Sequence, residues 1–153
     1  MLKYIFSLAT LLPFWNCLTA YAPTYAQLKQ LGMVHNLKAH NLQKKFIATS
    51  AGRIAYYETS GSGRPILLIH GNSCSKEYMI RQLDGLGLKY KMIAIDLPGH
   101  GESSNALHAA ENYTLTGYAC VIAEIIRKLK LQPVVVIGWS LGGLIAREMM
   151  QAA

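Results

Sequence analysis

The residues Gly138-Trp139-Ser140-Leu141-Gly142-Gly143 set a serine between glycines two positions away on either side. They follow the apolar run Val134 to Ile137 and precede a helical stretch, Leu144 to Met150. Between a strand and a helix, Gly-x-Ser-x-Gly is a turn that displays a nucleophilic serine. The turn holds Ser140 in a strained backbone conformation, and any side chain at 138 or 142 is expected to collide with the neighbouring strand or helix. The hydroxyl then projects from the carboxyl edge of a sheet, at a helix N-terminus whose N–H groups favour developing negative charge. The chemistry this suits is acyl transfer, which needs two donors for the oxyanion. Leu141 N–H is one candidate. Asn72 N–H is the other, from His70-Gly71-Asn72, where Gly71 lets the chain turn back over the site. Gly71 and Trp139 are the candidate substrate-binding residues. Cys74 is a weaker one, since packing explains it equally well.

A third loop, Asp96-Leu97-Pro98-Gly99-His100-Gly101, belongs at the same edge. Its proline and glycines make a tight turn. Asp96 and His100 invite a catalytic reading, but a carboxylate bracing the loop and a structural histidine account for them better.

Three elements must position these loops. Pro65 to His70, Met92 to Asp96 and Val134 to Gly138 are apolar without alternation, the mark of strands buried on both faces of a parallel sheet. Residues 76–88 and 114–130 are helical. The second places Leu115, Tyr118, Ala119, Ile122, Ile125, Ile126 and Leu129 on one face, with Thr114 as N-cap and Pro133 beyond the end. Ahead of them, Phe46 to Thr49 and Arg53 to Tyr57 form a hairpin across Ser50-Ala51-Gly52. The expected architecture is α/β: a doubly wound, mostly parallel sheet with helices on both faces.

The order and spacing of His70-Gly71-Asn72, the Asp96 to Gly101 loop and the Gly138 to Gly143 turn resemble the α/β-hydrolase fold family over about residues 46–153. The nearest likeness is its esterase, haloperoxidase-like and carbon–carbon hydrolase branch. The resemblance implies a serine nucleophile at Ser140, oxyanion donors at Asn72 and Leu141, no cofactor or metal, and an acid and a histidine later in the chain. Haloalkane dehalogenases share the His-Gly-Asn start, but they and the epoxide hydrolases use aspartate at the position that Ser140 occupies in this chain.

The rest of that pattern is missing. After Ser140 come thirteen residues with one carboxylate, Glu148, and no histidine. Glu148 lies eight residues on, roughly 12 Å at 1.5 Å per helical residue. All five histidines, at 35, 40, 70, 100 and 108, precede the serine. His70 is the one within conceivable reach as a surrogate base, though its place in the oxyanion loop favours a packed role. A serine without a base is a weak nucleophile. The expectation is a hydrolase fold truncated after the helix that follows Ser140, inactive on its own, with a bare sheet edge that a partner or the missing C-terminal half covers. The competing reading is a non-catalytic remnant or interaction module on the same core.

The N-terminus reads as a signal peptide over residues 1–22. Lys3 is its positive start, Tyr4 to Leu12 its apolar stretch, and Ala20-Tyr21-Ala22 its cleavage site. A second cut is possible after Ala26. Residues 23–45 form a leader, and the hydrolase domain begins at 46. Secretion or export to a periplasm follows, with no membrane span after cleavage. The 153 residues carry a net charge of +7, 52% hydrophobic and 15% charged residues, a globular balance. The basic residues are scattered without aromatic partners, so nucleic acid is not the expected ligand. A small ester-like molecule is. Cys74 and Cys120, which remain after cleavage, are expected to be free thiols.

Overall fold

The computed structural model describes Gln30 and residues 42–151. The expected signal peptide, and the leader up to residue 41 apart from Gln30, lie outside the described residues. The elements are β1 (Gln43–Thr49), β2 (Gly52–Glu58), β3 (Gly63–Ile69), a 3-10 helix (Lys76–Met79), α1 (Ile80–Leu86), β4 (Tyr90–Ile95), α2 (Ala109–Asn112), α3 (Leu115–Lys128), β5 (Val135–Gly138) and α4 (Leu141–Gln151).

The five strands form one sheet in the order β1-β2-β4-β3-β5. β3 pairs in parallel with both β4 and β5, while β1 and β2 form an antiparallel hairpin and β2 runs antiparallel to β4. The parallel part is thus the three apolar runs, and the hairpin extends it on one side. β1 begins three residues before the expected domain start at Phe46. The ladder continues through Lys45↔Tyr56 to Gln43↔Glu58. Lys45 Nζ donates to the Glu58 carboxylate, which holds this polar end in place.

Both sheet faces are covered, because the parallel strands are apolar on each side. One core joins Leu67, Ile69, Ile93 and Ile95 to Tyr118, Ile122 and Ile125 of α3 and to Ile145 and Met149 of α4. The other joins Leu68, Met92 and Ala94 to Met79, Ile80 and Leu83. Thr114 caps α3 by accepting the Gly117 N–H at 3.0 Å, and Arg127 and Lys128 sit in its last turn, where the dipole favours cations. One position departs from the expected face of α3. Leu115 is exposed at its first turn. Leu86, at the end of α1, is exposed as well. The helix expected over 76–88 divides into the 3-10 turn and a short α-helix. Cys74 and Cys120 both stand as thiols, with no disulfide among the described residues. No described helix is long and apolar enough to cross a membrane.

Candidate active site

β5 lies beside β3 in parallel register, Ile69 opposite Gly138. The loops that follow the two strands therefore leave the sheet side by side at its carboxyl edge. Trp139 N–H extends the pairing by one bond, to the Ile69 carbonyl at 3.0 Å. The chain then reverses: Ser140 has φ +52°, a left-handed conformation that costs a serine about 1–3 kcal/mol. Its carbonyl at once accepts from Gly143 N–H at 2.8 Å and Leu144 N–H at 3.2 Å, so the turn opens directly into α4. A β-carbon on Gly138 would lie 2.1 Å from the Gly142 carbonyl oxygen, and one on Gly142 would lie 2.3 Å from that of Ile69. Strand, turn and helix meet there with room for hydrogen alone.

Ser140 is exposed at the tip of this turn. Across from it is Gly71, where a β-carbon would stand 3.2 Å from both Ser140 Cβ and the Trp139 ring. The Gly71 carbonyl accepts from Cys74 N–H at 3.3 Å, closing a turn over Asn72 and Ser73, with Ser73 at φ +56°. Among the described residues the N–H groups of Asn72 and Leu141 have no protein acceptor. Leu141 is the first residue of α4, where helical N–H groups lack intrahelical partners. Trp139 is 46% exposed, and its ring lies nearly parallel to Tyr78, with centroids 6.2 Å apart. Tyr78 escapes a reading of the sequence because nothing but its place after the Asn72 turn sets it near the serine. Cys74 is buried beneath the turn.

The Asp96 loop is held from below. Asp96 is fully buried and accepts Lys76 N–H at 2.6 Å, Lys76 Nζ at 2.8 Å and Glu102 N–H at 2.8 Å. Lys76 is buried as well. Glu102 accepts from its ammonium at 2.7 Å, and the Tyr57 ring centroid is 4.9 Å away. Burial opposes the charge on Lys76, but the hydrogen bonds to Asp96 and Glu102 outweigh it and raise the Lys76 pKa above its ordinary value. Burial pushes the neighbouring Glu77 carboxyl up, against the pull of the Tyr57 hydroxyl that donates to it. Asp96 thus braces the loop and ties it to the segment that follows Asn72.

His70 is fully buried. Its Nδ1 lies 2.7 Å from the Gly71 carbonyl oxygen, and its Nε2 accepts Leu97 N–H at 3.0 Å. Both nitrogens are engaged in a way that only the neutral ring with Nδ1–H satisfies. His70 is therefore not free to serve Ser140 as a surrogate base. Burial is the main cause that pulls its pKa down to about 4, with the His100 ring nearby adding to it. The unfolded chain takes up this proton near pH 6.5 and the folded chain only near 4, so stability is present above pH 6.5 and is lost as pH falls toward 4. The loss is expected to reach about 3 kcal/mol. Urea unfolding at pH 7 and 4.5 should show it, and His70→Asn should flatten this part of the pH dependence. His100 is half-buried, with Nδ1 3.0 Å from the Pro98 carbonyl oxygen. Glu148 accepts a hydrogen bond from the Thr116 hydroxyl at 2.7 Å.

A mixed sheet, parallel through β4, β3 and β5 and layered by helices on both faces, with a serine on a left-handed turn between strand and helix, is the arrangement of the α/β class of hydrolase folds. A family model described as alpha/beta hydrolase fold matches residues 64–153, and the chain belongs to that family. It is 35% identical over 101 residues to (E)-2-((N-methylformamido)methylene)succinate hydrolase of Acinetobacter baylyi, covering 66% of this chain and 37% of that protein. It is 36% identical to a non-heme haloperoxidase of Rhodococcus erythropolis, covering 64% of this chain and 35% of that one. Among solved structures, an N-acyl homoserine lactonase complexed with N-butanoyl homoserine is 44% identical, with a TM-score of 0.70, over 72% of this chain and 40% of that one. The chain thus spans well under half the length of these relatives.

Proposed function

We propose that this chain carries the nucleophile and oxyanion hole of a serine hydrolase that acts on small esters, lactones included. The observation that carries this reading is Ser140 at φ +52°, exposed at the end of β5, with Gly71 packed against it. Ser140 Oγ attacks the carbonyl carbon, forming a C–O bond while the carbonyl electrons pass to oxygen. Asn72 and Leu141 N–H groups receive that oxyanion. Its collapse expels the alcohol, which takes the proton released by Ser140, and water then frees the acid. The proton must pass through a histidine, and none follows Ser140 in this sequence. His70 is held by Gly71 and Leu97, so the base in this reading is a group other than His70. The similarity to a homoserine lactonase supports a cyclic ester as substrate, and Trp139 with Tyr78 offers it a flat apolar wall. Export by residues 1–22 belongs to the same proposal.

Among the described residues the outer edge of β5 pairs with no strand, which supports a second reading, a non-catalytic module that pairs through that edge. Fluorophosphonate labelling separates the two. With the base present, labelling is expected at Ser140 and is expected to vanish in Ser140→Ala. A folded protein with its base that stays unlabelled would leave the non-catalytic reading standing.

A further inference from the structure

We propose that His70 is a positioning residue for the oxyanion hole: through Nδ1–H it holds the Gly71 carbonyl so that Asn72 N–H faces Ser140. The C=O of Gly71 and the N–H of Asn72 share one planar trans unit and point in opposite directions, so whatever fixes the oxygen also aims the hydrogen. The oxygen is fixed twice, by His70 Nδ1 at 2.7 Å and by Cys74 N–H at 3.3 Å. The shorter bond comes from a side chain with no exposed surface.

His70 is itself immobilised. Leu97 N–H donates to Nε2 at 3.0 Å, which leaves Nδ1 as the protonated nitrogen. Leu97 follows Asp96, whose carboxylate is anchored by Lys76 and Glu102. A chain of buried hydrogen bonds therefore runs from the Asp96 loop through the imidazole to the Gly71–Asn72 peptide, beside the serine turn. Gly71 is close enough that its β-carbon would contact Ser140 Cβ at 3.2 Å, so a modest rotation of this peptide would carry Asn72 N–H off its target. Orientation of a preorganised donor is what an oxyanion hole supplies.

This inference rests on the reading of Ser140 as nucleophile and Asn72 N–H as donor, and the test keeps the two apart. Asparagine places its amide near Nδ1 of a histidine, and glutamine places its amide near Nε2. In the full-length protein carrying this sequence, with p-nitrophenyl butyrate as substrate, His70→Asn should keep kcat within about threefold. His70→Gln and His70→Leu should lower it by about 10- to 100-fold, a fraction of the 10²- to 10³-fold that loss of a donor costs. KM should change little in all three. Equal kcat in His70→Gln and the wild type would overturn the proposal, as would a folded His70→Asn as slow as His70→Leu. Turnover that survives Ser140→Ala would instead sink the reading of the site. Should the variants not fold, the wild-type chain still decides: the ¹⁵N shifts of the imidazole must show Nδ1 protonated, and a proton on Nε2 alone would refute the assignment.

Discussion

Replacing Gly142 with alanine is expected to unfold the chain, while the same replacement one residue on, at Gly143, should stabilise it by about 0.5–1 kcal/mol. The two glycines share a helix turn and differ in what a methyl group would strike. At Gly142 the β-carbon would sit 2.3 Å from the Ile69 carbonyl oxygen and 2.8 Å from that of His70. Both atoms are backbone at the end of β3, so no rotamer change relieves the overlap. The start of α4 would have to move off the sheet and take Ile145 and Met149 with it. A loss above about 4 kcal/mol is at the extreme of single substitutions, against a total stability of roughly 5–15 kcal/mol. At Gly143 the nearest atom is the Gly138 carbonyl oxygen at 3.4 Å, an ordinary contact, and the helix gains from the lower entropy of alanine. Thermal and urea melts of the pair measure the contrast. A Gly142→Ala chain as stable as the wild type would mean that α4 does not dock as described.

Loss of Asp96 ranks next. Asp96→Ala removes the acceptor of three donors and leaves the buried Lys76 ammonium with Glu102, a half-exposed partner, and the more distant Glu77 at 3.7 Å. Breaking a buried pair from one side costs about 3–5 kcal/mol. Asp96→Asn should not rescue it, since each carboxylate oxygen faces a donor and an amide nitrogen would oppose one of them. Removing both charges, Lys76→Met with Asp96→Ala, should cost less than the two single changes added together. Urea midpoints of the four proteins test this cycle. Additive effects would show that the pair is not coupled.

The centre of the fold is legible in the chain because β3, β4 and β5 are apolar without alternation and the serine turn is marked by glycines at fixed spacing. What eludes a sequence reading has definite physical causes. Gln43 to Lys45 are polar, so the first turn of β1 carries no hydrophobic signal, and ladder pairing with an ion pair holds it there. The position of β4 between β2 and β3 depends on which strands meet in space. A bracing role for Asp96 can be read from its loop, but its cation cannot. Lys76 is twenty residues earlier at the start of a polar turn, and nothing local announces that it is 1% exposed. A carboxylate destined for the interior requires some buried cation, and that requirement is the only clue. Likewise His70 reads equally well as a packed residue or a distant base until its two nitrogens are traced to Leu97 and Gly71.

The stacking of Trp139 on Tyr78 has a practical consequence. The chain has two tryptophans, Trp15 and Trp139, so replacing Trp15 leaves one tryptophan, which can be excited apart from the tyrosines and is seated next to Ser140. β5 reaches its place beside β3 across the intervening residues 70–134, and only that docking brings the indole against Tyr78 and Gly71. Its emission is a built-in optical gauge of whether the two halves of the site have come together, readable without a substrate or an added dye.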